Sequence, residues 1–83
     1  MDEKFEAYTT SDGYILMESN DSGWDYTLLN VDGCRVDDGV MLTGSKPVKA
    51  VASQICKDKG LKLTGKADYN KILDLHINAR IAL

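Results

Sequence analysis

The sequence predicts an α+β domain in which a three-stranded, or four-stranded, antiparallel β-meander packs against one helix, followed by a second C-terminal element that favours helix. Two β-rich runs at residues 14–19 and 24–29 are separated by turn formers, and a third follows Asp32-Gly33. An amphipathic segment then begins near Pro47. The chain of 83 residues has room for one domain with a small core.

The N-terminal residues 1–12 are predicted to be a flexible arm or a short edge element, because Phe5 and Tyr8 are their only large apolar side chains. Residues 13–83 are predicted to form the single domain. Within it, residues 14–19 are the first strand, and residues 20–23 form a loop rich in turn-forming side chains.

The hairpin at residues 24–40 allows two registers. A two-residue turn centred on Asp32 and Gly33 mixes large apolar and charged side chains on one face. A type I turn over residues 30–33, with Gly33 in a left-handed bulge position, separates them better. This favoured register pairs Asn30 with Cys34, Leu28 with Val36, Tyr26 with Asp38, and Trp24 with Val40. It predicts a core face made of Trp24, Tyr26, Leu28, Cys34, Val36 and Val40.

A helix is predicted from Lys46 to about Lys59, with Ser45 as N-cap, Pro47 in the first turn and Gly60 as the stop signal. Its apolar positions share one face. They are Val48, Val51, Ala52 and Ile55. The opposite stripe is basic and is formed by Lys46, Lys49 and Lys57 together with Ser53.

Residues 61–64 are predicted to be a short fourth strand, and Asp68 is a candidate N-cap for the last segment. That segment, residues 69–83, is compatible with a helix, with a helix that breaks near Asp74 into a strand alternating from Leu75 to Leu83, or with disorder. Its composition favours the helix. The helix would carry a broad apolar arc made of Tyr69, Ile72, Leu73, Leu75, His76, Ile77 and Ala79.

The charge is distributed unevenly along the chain. Residues 1–45 carry two basic and ten acidic side chains, whereas residues 46–83 carry eight basic and three acidic ones, within a net charge of −3. One interpretation is that the two halves attract each other within the fold. The other is that Lys46, Lys49 and Lys57, joined by Lys62 and Lys66, meet nucleic acid or another acidic partner.

Motifs for catalysis, metals and cofactors are incomplete. Residues 39–46 resemble a phosphate-binding loop, but Ser45 and Lys46 stand in reversed order. Residues 18–29 partly resemble a calcium loop, but the twelfth position is Leu29 rather than glutamate. Cys34, Cys56 and His76 show no ligand-pair spacing. We therefore expect no catalytic residue, no metal, no cofactor and no enzymatic activity.

Features that indicate cellular location are few. No apolar run approaches the roughly 20 residues that span a bilayer. The N-terminus is acidic and lacks the basic and apolar regions of a secretory signal. We therefore expect a cytoplasmic protein without membrane contact, in which Cys34 and Cys56 are free thiols.

One resemblance adds to these expectations. Residues 23–32, followed by Arg35-Val36-Asp37-Asp38-Gly39 and an apolar-striped helix, resemble a small uncharacterised domain in conjugative-transposon proteins of Gram-positive anaerobes. That domain occurs alone or attached to large polyvalent proteins. The resemblance covers about residues 13–60, implies a mobile-element context, and supplies no catalytic residue.

From these features we expect an accessory or protein-interaction module. The candidate protein interface, for a partner or for a homodimer, is formed by Tyr69, Ile72, Leu73 and His76 on the C-terminal arc, which is wider than packing on one sheet requires. The alternative is weak nucleic-acid binding through the basic face made of Lys46, Lys49 and Lys57.

Overall fold

The computed structural model describes residues 4–42 and 46–82. It contains five strands and two helices. In chain order they are β1 (Phe5–Thr10), β2 (Gly13–Ser19), β3 (Gly23–Asn30), β4 (Arg35–Leu42), α1 (Val48–Asp58), β5 (Leu63–Ala67) and α2 (Tyr69–Ala82). The predicted α+β class and the predicted meander are therefore confirmed, and the C-terminal element is a helix from Tyr69 to Ala82.

The strands form one antiparallel sheet in the order β4-β3-β2-β1-β5. The predicted fourth strand exists as β5, which pairs with β1. A flexible or edge arm is predicted for residues 1–12, but residues 5–10 form β1, which lies inside the sheet between β2 and β5. The hydroxyl oxygen of Thr10 accepts hydrogen bonds from the backbone N–H groups of Asp12 and Gly13, which closes the β1–β2 turn.

The turn between β3 and β4 forms as predicted. Gly33 has φ +87°, and its N–H donates to the Asn30 carbonyl at 3.0 Å. The Asn30 side-chain oxygen accepts from the N–H groups of Asp32 and Cys34. Asn30 therefore organises the turn through its side chain, as its position at the start of the turn predicts.

The register beyond this turn differs from the prediction. Arg35 pairs with Leu29 and Asp37 pairs with Leu28, so Val36 is an extra residue in a β-bulge. The predicted pairs of Val36 with Leu28, Asp38 with Tyr26 and Val40 with Trp24 are therefore wrong. The partners of Leu28, Tyr26 and Trp24 are instead Asp37, Gly39 and Met41.

Two contacts explain the observed register. At Gly39, a Cβ atom would lie 2.7 Å from the Tyr26 hydroxyl oxygen, so the tyrosine ring lies across the glycine. Asp37 reaches the Lys59 ammonium at 2.6 Å beyond the end of α1. Because side chains alternate along a strand, the bulge exchanges the faces of every residue after it. Val36 and Val40 consequently lie outside the core.

Helix α1 covers one face of the sheet, which we call the first face. Its buried side chains are Val51, Ala52, Ile55 and Cys56. The strands contribute Tyr8, Ile15, Met17, Trp24 and Leu28 to this core. Gly60 has φ +75° and ends the helix as predicted. The observed N-cap is Pro47, and the predicted N-cap Ser45 lies outside the described residues.

Helix α2 covers part of the opposite face, which we call the second face. Ile72 joins Ala7, Leu16 and Leu29 in a second core. The predicted N-cap is confirmed, since the Asp68 carboxylate accepts hydrogen bonds from the backbone N–H groups of Asn70 and Lys71. The sheet therefore lies between two helices, each supplied by the second half of the chain.

Candidate functional site

Two residues of the predicted basic face, Lys49 and Lys57, lie on α1, whereas Lys46 precedes the helix, which begins at Val48 rather than at Lys46 as predicted. Lys46, Lys49 and Lys57 are exposed. Within residues 4–42 and 46–82, none of the three forms an ion pair. Lys59, by contrast, donates a hydrogen bond to Asp37 that lowers the pKa of that carboxyl group and raises the pKa of Lys59. The stripe is therefore a separate group of solvated charges.

Lys49 also lines a groove between α1 and β5, which we call the β5–α1 groove. Its volume is about 330 Å³, and its lining residues are Tyr8, Lys49, Leu63, Thr64, Gly65 and Lys66. Lys66 lies 3.4 Å from the Glu6 carboxylate. Burial, and secondarily the charge of Glu6, raises the pKa of the Tyr8 hydroxyl. This groove brings a lysine of the helix and a lysine of an edge strand to one place.

The predicted protein interface on α2 is occupied by contacts within the domain. Ile72 is only 8% exposed. Leu73 and Tyr69 pack against the same core, and the Tyr69 ring lies 5.2 Å from that of Phe5, centroid to centroid. His76 is partly buried at the tip of the β3–β4 hairpin. These four residues therefore attach α2 to the sheet.

Exposed aliphatic residues lie elsewhere on α2 and on β4. On α2, Ile77 and Ile81 are 42% and 78% exposed. On β4, the exposed fractions are 63% for Val36, 58% for Val40 and 72% for Leu42. Val40 pairs with Asp25, and Leu42 pairs with Gly23. Both Val40 and Leu42 therefore lie on the second face, beyond the part that α2 covers. The register prediction missed this surface because it assigned Val36 and Val40 to the core.

A groove lies between β4 and α2, and we call it the β4–α2 groove. Its volume is about 500 Å³, and it is lined by Cys34, Arg35, Asp38, His76, Ala79 and Arg80. Arg35 donates to the Asp38 carboxylate at 2.7 Å. His76 bonds the Gly33 carbonyl through Nδ1 at 2.9 Å, and because a carbonyl only accepts, Nδ1 carries the hydrogen.

The cysteines lie on opposite sides of the sheet. Cys56 is buried in the first core, where burial raises the pKa of its thiol. Cys34 is partly buried in the β4–α2 groove together with His76. Within the part of the chain that the structure describes, no group of three or more His, Cys, Asp or Glu side chains has the geometry to hold a metal ion.

The helices give one finding about membranes. Neither helix in the described ranges has the length and apolar character needed to cross a bilayer.

The fold is thus a small α+β domain with a basic surface beside α1 and an aliphatic surface around the β4–α2 groove. Residues 2–79 match the family model described as large polyvalent protein-associated domain 16, and the chain belongs to this family. The match agrees with the resemblance of residues 23–39 to a small domain attached to large polyvalent proteins. No curated protein and no solved structure is significantly similar to the chain.

Proposed function

We propose that this domain is a non-enzymatic protein-interaction module of mobile-element proteins that works in the cytoplasm. Its family is named for association with large polyvalent proteins, which supports a role in contacts between proteins or between domains. The resemblance of residues 23–39 to a domain of conjugative-transposon proteins supports the mobile-element context.

The observation that carries this proposal is the group of exposed aliphatic side chains on β4 and α2, which we call the aliphatic surface. Its members are Val36, Val40, Leu42, Ile77 and Ile81. Single exposed apolar residues are ordinary, but several on the strand and the helix that form one groove are typical of a protein-binding surface. The occupant is a partner protein, and a second copy of this chain is the alternative outcome of the test.

Site-specific photocrosslinking in cells that express the natural gene tests this function. The photoreactive residue p-benzoylphenylalanine replaces Leu42 or Ile81 on the aliphatic surface, and Ser53 on the exposed side of α1 as the matched control. We expect the same crosslinked protein from both positions on the aliphatic surface, with no such product from the control.

A competing substitution sharpens the crosslinking experiment. Val40→Lys places a charge on the aliphatic surface without entering the core, and it should abolish the crosslink from Ile81. Crosslinks of equal yield from all three positions, or a product that Val40→Lys does not reduce, would reject the proposed function. A product with twice the mass of the chain would identify the homodimer.

A second candidate function is binding of nucleic acid, supported by the β5–α1 groove, where Lys49 and Lys66 line one cavity beside the exposed Lys46 and Lys57. Binding to phosphates releases counterions and therefore weakens steeply as salt rises. An amide NMR titration with a short DNA duplex at low and physiological salt should then show salt-sensitive shifts confined to this basic surface. Absence of shifts at low salt would eliminate this function.

A further inference from the structure

We propose that the β4–α2 groove binds a carboxylate on an extended segment of the partner protein, with aliphatic residues on both sides of that carboxylate. The inference rests on the proposed protein-interaction function and makes it specific, because it names the chemistry that the partner must present. The argument comes from the charges, the rigidity and the borders of the groove.

The charges of the groove leave one cation unbalanced. Arg35 from β4 and Arg80 from α2 both line it, and among the described residues that line it Asp38 is the one carboxylate. Asp38 is already paired with Arg35. Among the residues that the structure describes, Arg80 forms no ion pair. A guanidinium presents a planar set of N–H donors that matches a carboxylate, so Arg80 is the anchor that we assign to the ligand.

The position of Arg80 in the last turn of α2 does not prevent its guanidinium from binding a carboxylate. A basic side chain there is attracted to the negative end of the helix dipole. That attraction acts on the charge and leaves the planar donors of the guanidinium available. The same residue therefore stabilises the helix end and remains able to hold a ligand.

The two walls of the groove are held together before any ligand arrives. The His76 ring donates from Nδ1 to the Gly33 carbonyl, which ties α2 to the hairpin turn. Next to it, Gly33 approaches Leu75 so closely that an added Cβ would lie 2.7 Å from the leucine Cγ. A site whose walls are fixed in advance binds with a smaller loss of conformational entropy.

The borders of the groove define what surrounds the carboxylate. Arg80 also lines a notch together with Ile77 and Ile81. On the opposite wall, Asp38 is followed on the same face of β4 by Val40 and Leu42. A cationic centre with aliphatic residues next to it on α2 and further along β4 fits an acidic residue between aliphatic neighbours.

The same borders disfavour nucleic acid at this groove. Asp25 is the cross-strand partner of Val40 and lies on the same face, and Asp38 lines the groove itself. One carboxylate can meet Arg80 while it stays away from these two acids. A phosphate backbone carries a charge at every nucleotide and would be repelled by them.

An NMR titration with two peptides tests the inference on the intact domain. The probes are acetyl-Val-Glu-Val-amide and acetyl-Val-Gln-Val-amide, which differ only in the carboxylate. We expect the glutamate peptide to shift the Arg80 side-chain Nε–H signal and the Cys34 and Arg35 amide signals, and to bind about tenfold more tightly than the glutamine peptide.

Two variants complete the test. Arg80→Gln should remove the difference between the peptides. Lys57→Gln, which deletes an equally exposed cation on the other face, should preserve it. The amide spectrum of each variant verifies the fold, since both side chains lie at the surface.

Each contrary result has a separate meaning. Equal binding of both peptides at Val40, Leu42 and Ile81 would overturn the carboxylate inference and leave the protein-interaction function in place. No binding of either peptide, or a difference that persists in Arg80→Gln, would also overturn it, while the crosslinking result decides the proposed function independently. A DNA duplex that shifts the Arg80 signal at lower concentration than the glutamate peptide would reassign the groove to polyanions.

Discussion

At the scale of single residues, Gly33 joins the hairpin to α2. Its φ of +87° is a left-handed conformation that side chains with a Cβ adopt at a cost. Leu75 lies directly against it, with both its side chain and its backbone carbonyl within 3 Å of where a Cβ would be. This glycine therefore serves the turn and the helix contact at once.

We predict that Gly33→Ala destabilises the domain by about 3 kcal/mol, which combines the conformational cost with the displacement of α2. Gly60→Ala is the matched control, because Gly60 has a φ of +75° but no atom within 4 Å of the added methyl group. It should cost only about 1–2 kcal/mol. Urea unfolding measures both, and equal losses would contradict the close contact with Leu75.

The Asp37–Lys59 pair predicts a dependence of stability on pH. The hydrogen bond from Lys59 lowers the pKa of Asp37 from its ordinary value of 3.8. A lowered carboxyl pKa stabilises the fold above the ordinary value, and this contribution disappears as pH falls through the folded-state pKa. Asp37→Asn should therefore reduce the urea midpoint of unfolding near neutral pH. The difference in midpoint between this variant and the natural protein should shrink below about pH 3.8.

The control for this pH experiment is Asp32→Asn in the exposed hairpin turn, which removes a carboxylate that forms no ion pair among the described residues. Its midpoint should stay closer to that of the natural protein near neutral pH. A constant effect of Asp37→Asn across the acidic range would show that the ion pair makes no contribution.

The residue types alone predict some of these turns, caps and bulges but not others. Asn30, Gly33, Gly60 and Asp68 were identified correctly because caps and turns are set by local chemistry, which is visible in the sequence. The bulge at Val36 was not, because it depends on a distant contact of Asp37 with Lys59 and on the fit of Tyr26 across Gly39. Such contacts exist only after the fold has formed.

At the scale of secondary-structure elements, β4 shows what one extra residue changes. The strand RVDDGVML has valines four residues apart, at Val36 and Val40, which predicts that both lie on one buried face. The bulge directs Val40 to the solvent on the second face and gives Met41 the place in the core opposite Trp24. The aliphatic surface therefore exists because of the bulge.

Charged substitutions on β4 test this register. Val40→Lys should change the free energy of unfolding by no more than about 0.5 kcal/mol, because the side chain is largely exposed. Met41→Lys should cost about 2–4 kcal/mol, because it brings an ammonium group against the Trp24 core. Chemical denaturation measures both variants, and the reverse order of losses would restore the register predicted from the sequence.

Helix α2 was predictable as an amphipathic element, but its interface was not. From the predicted apolar arc, Tyr69, Ile72 and Leu73 pack against the core on the second face, whereas Ile77 is exposed. Whether an apolar stripe meets the sheet of its own chain or a partner depends on which sheet face is free. The position of β1 decides this, because it widens the second face on which α2 packs.

At the scale of the whole molecule, β1 contributes to both cores. Ala7 is fully buried on the second face, and Tyr8 is 4% exposed on the first. The strand also pairs with β5, whose one neighbour among the described strands is β1. Its polar composition concealed this role, because the sequence FEAYTT offers few large apolar side chains.

We predict that deletion of residues 1–10 prevents folding, because it removes an internal strand and detaches β5. The two-dimensional amide NMR spectrum should collapse into the narrow range of an unfolded chain. The full chain carrying Phe5→Ala is the control and should keep a dispersed spectrum, since Phe5 is 43% exposed. A dispersed spectrum for the deletion would mean that β1 is dispensable.

The order of the elements along the chain has a consequence for synthesis. Strands β1 to β4 leave the ribosome first, with apolar side chains on both sides of the sheet, such as Met17 on one and Leu29 on the other. Both covering helices are encoded after them. The apolar sides of the nascent meander therefore stay uncovered until residues 46–82 have been synthesised, unless a chaperone shields them. The speed of translation across residues 46–82 sets how long these sides stay uncovered.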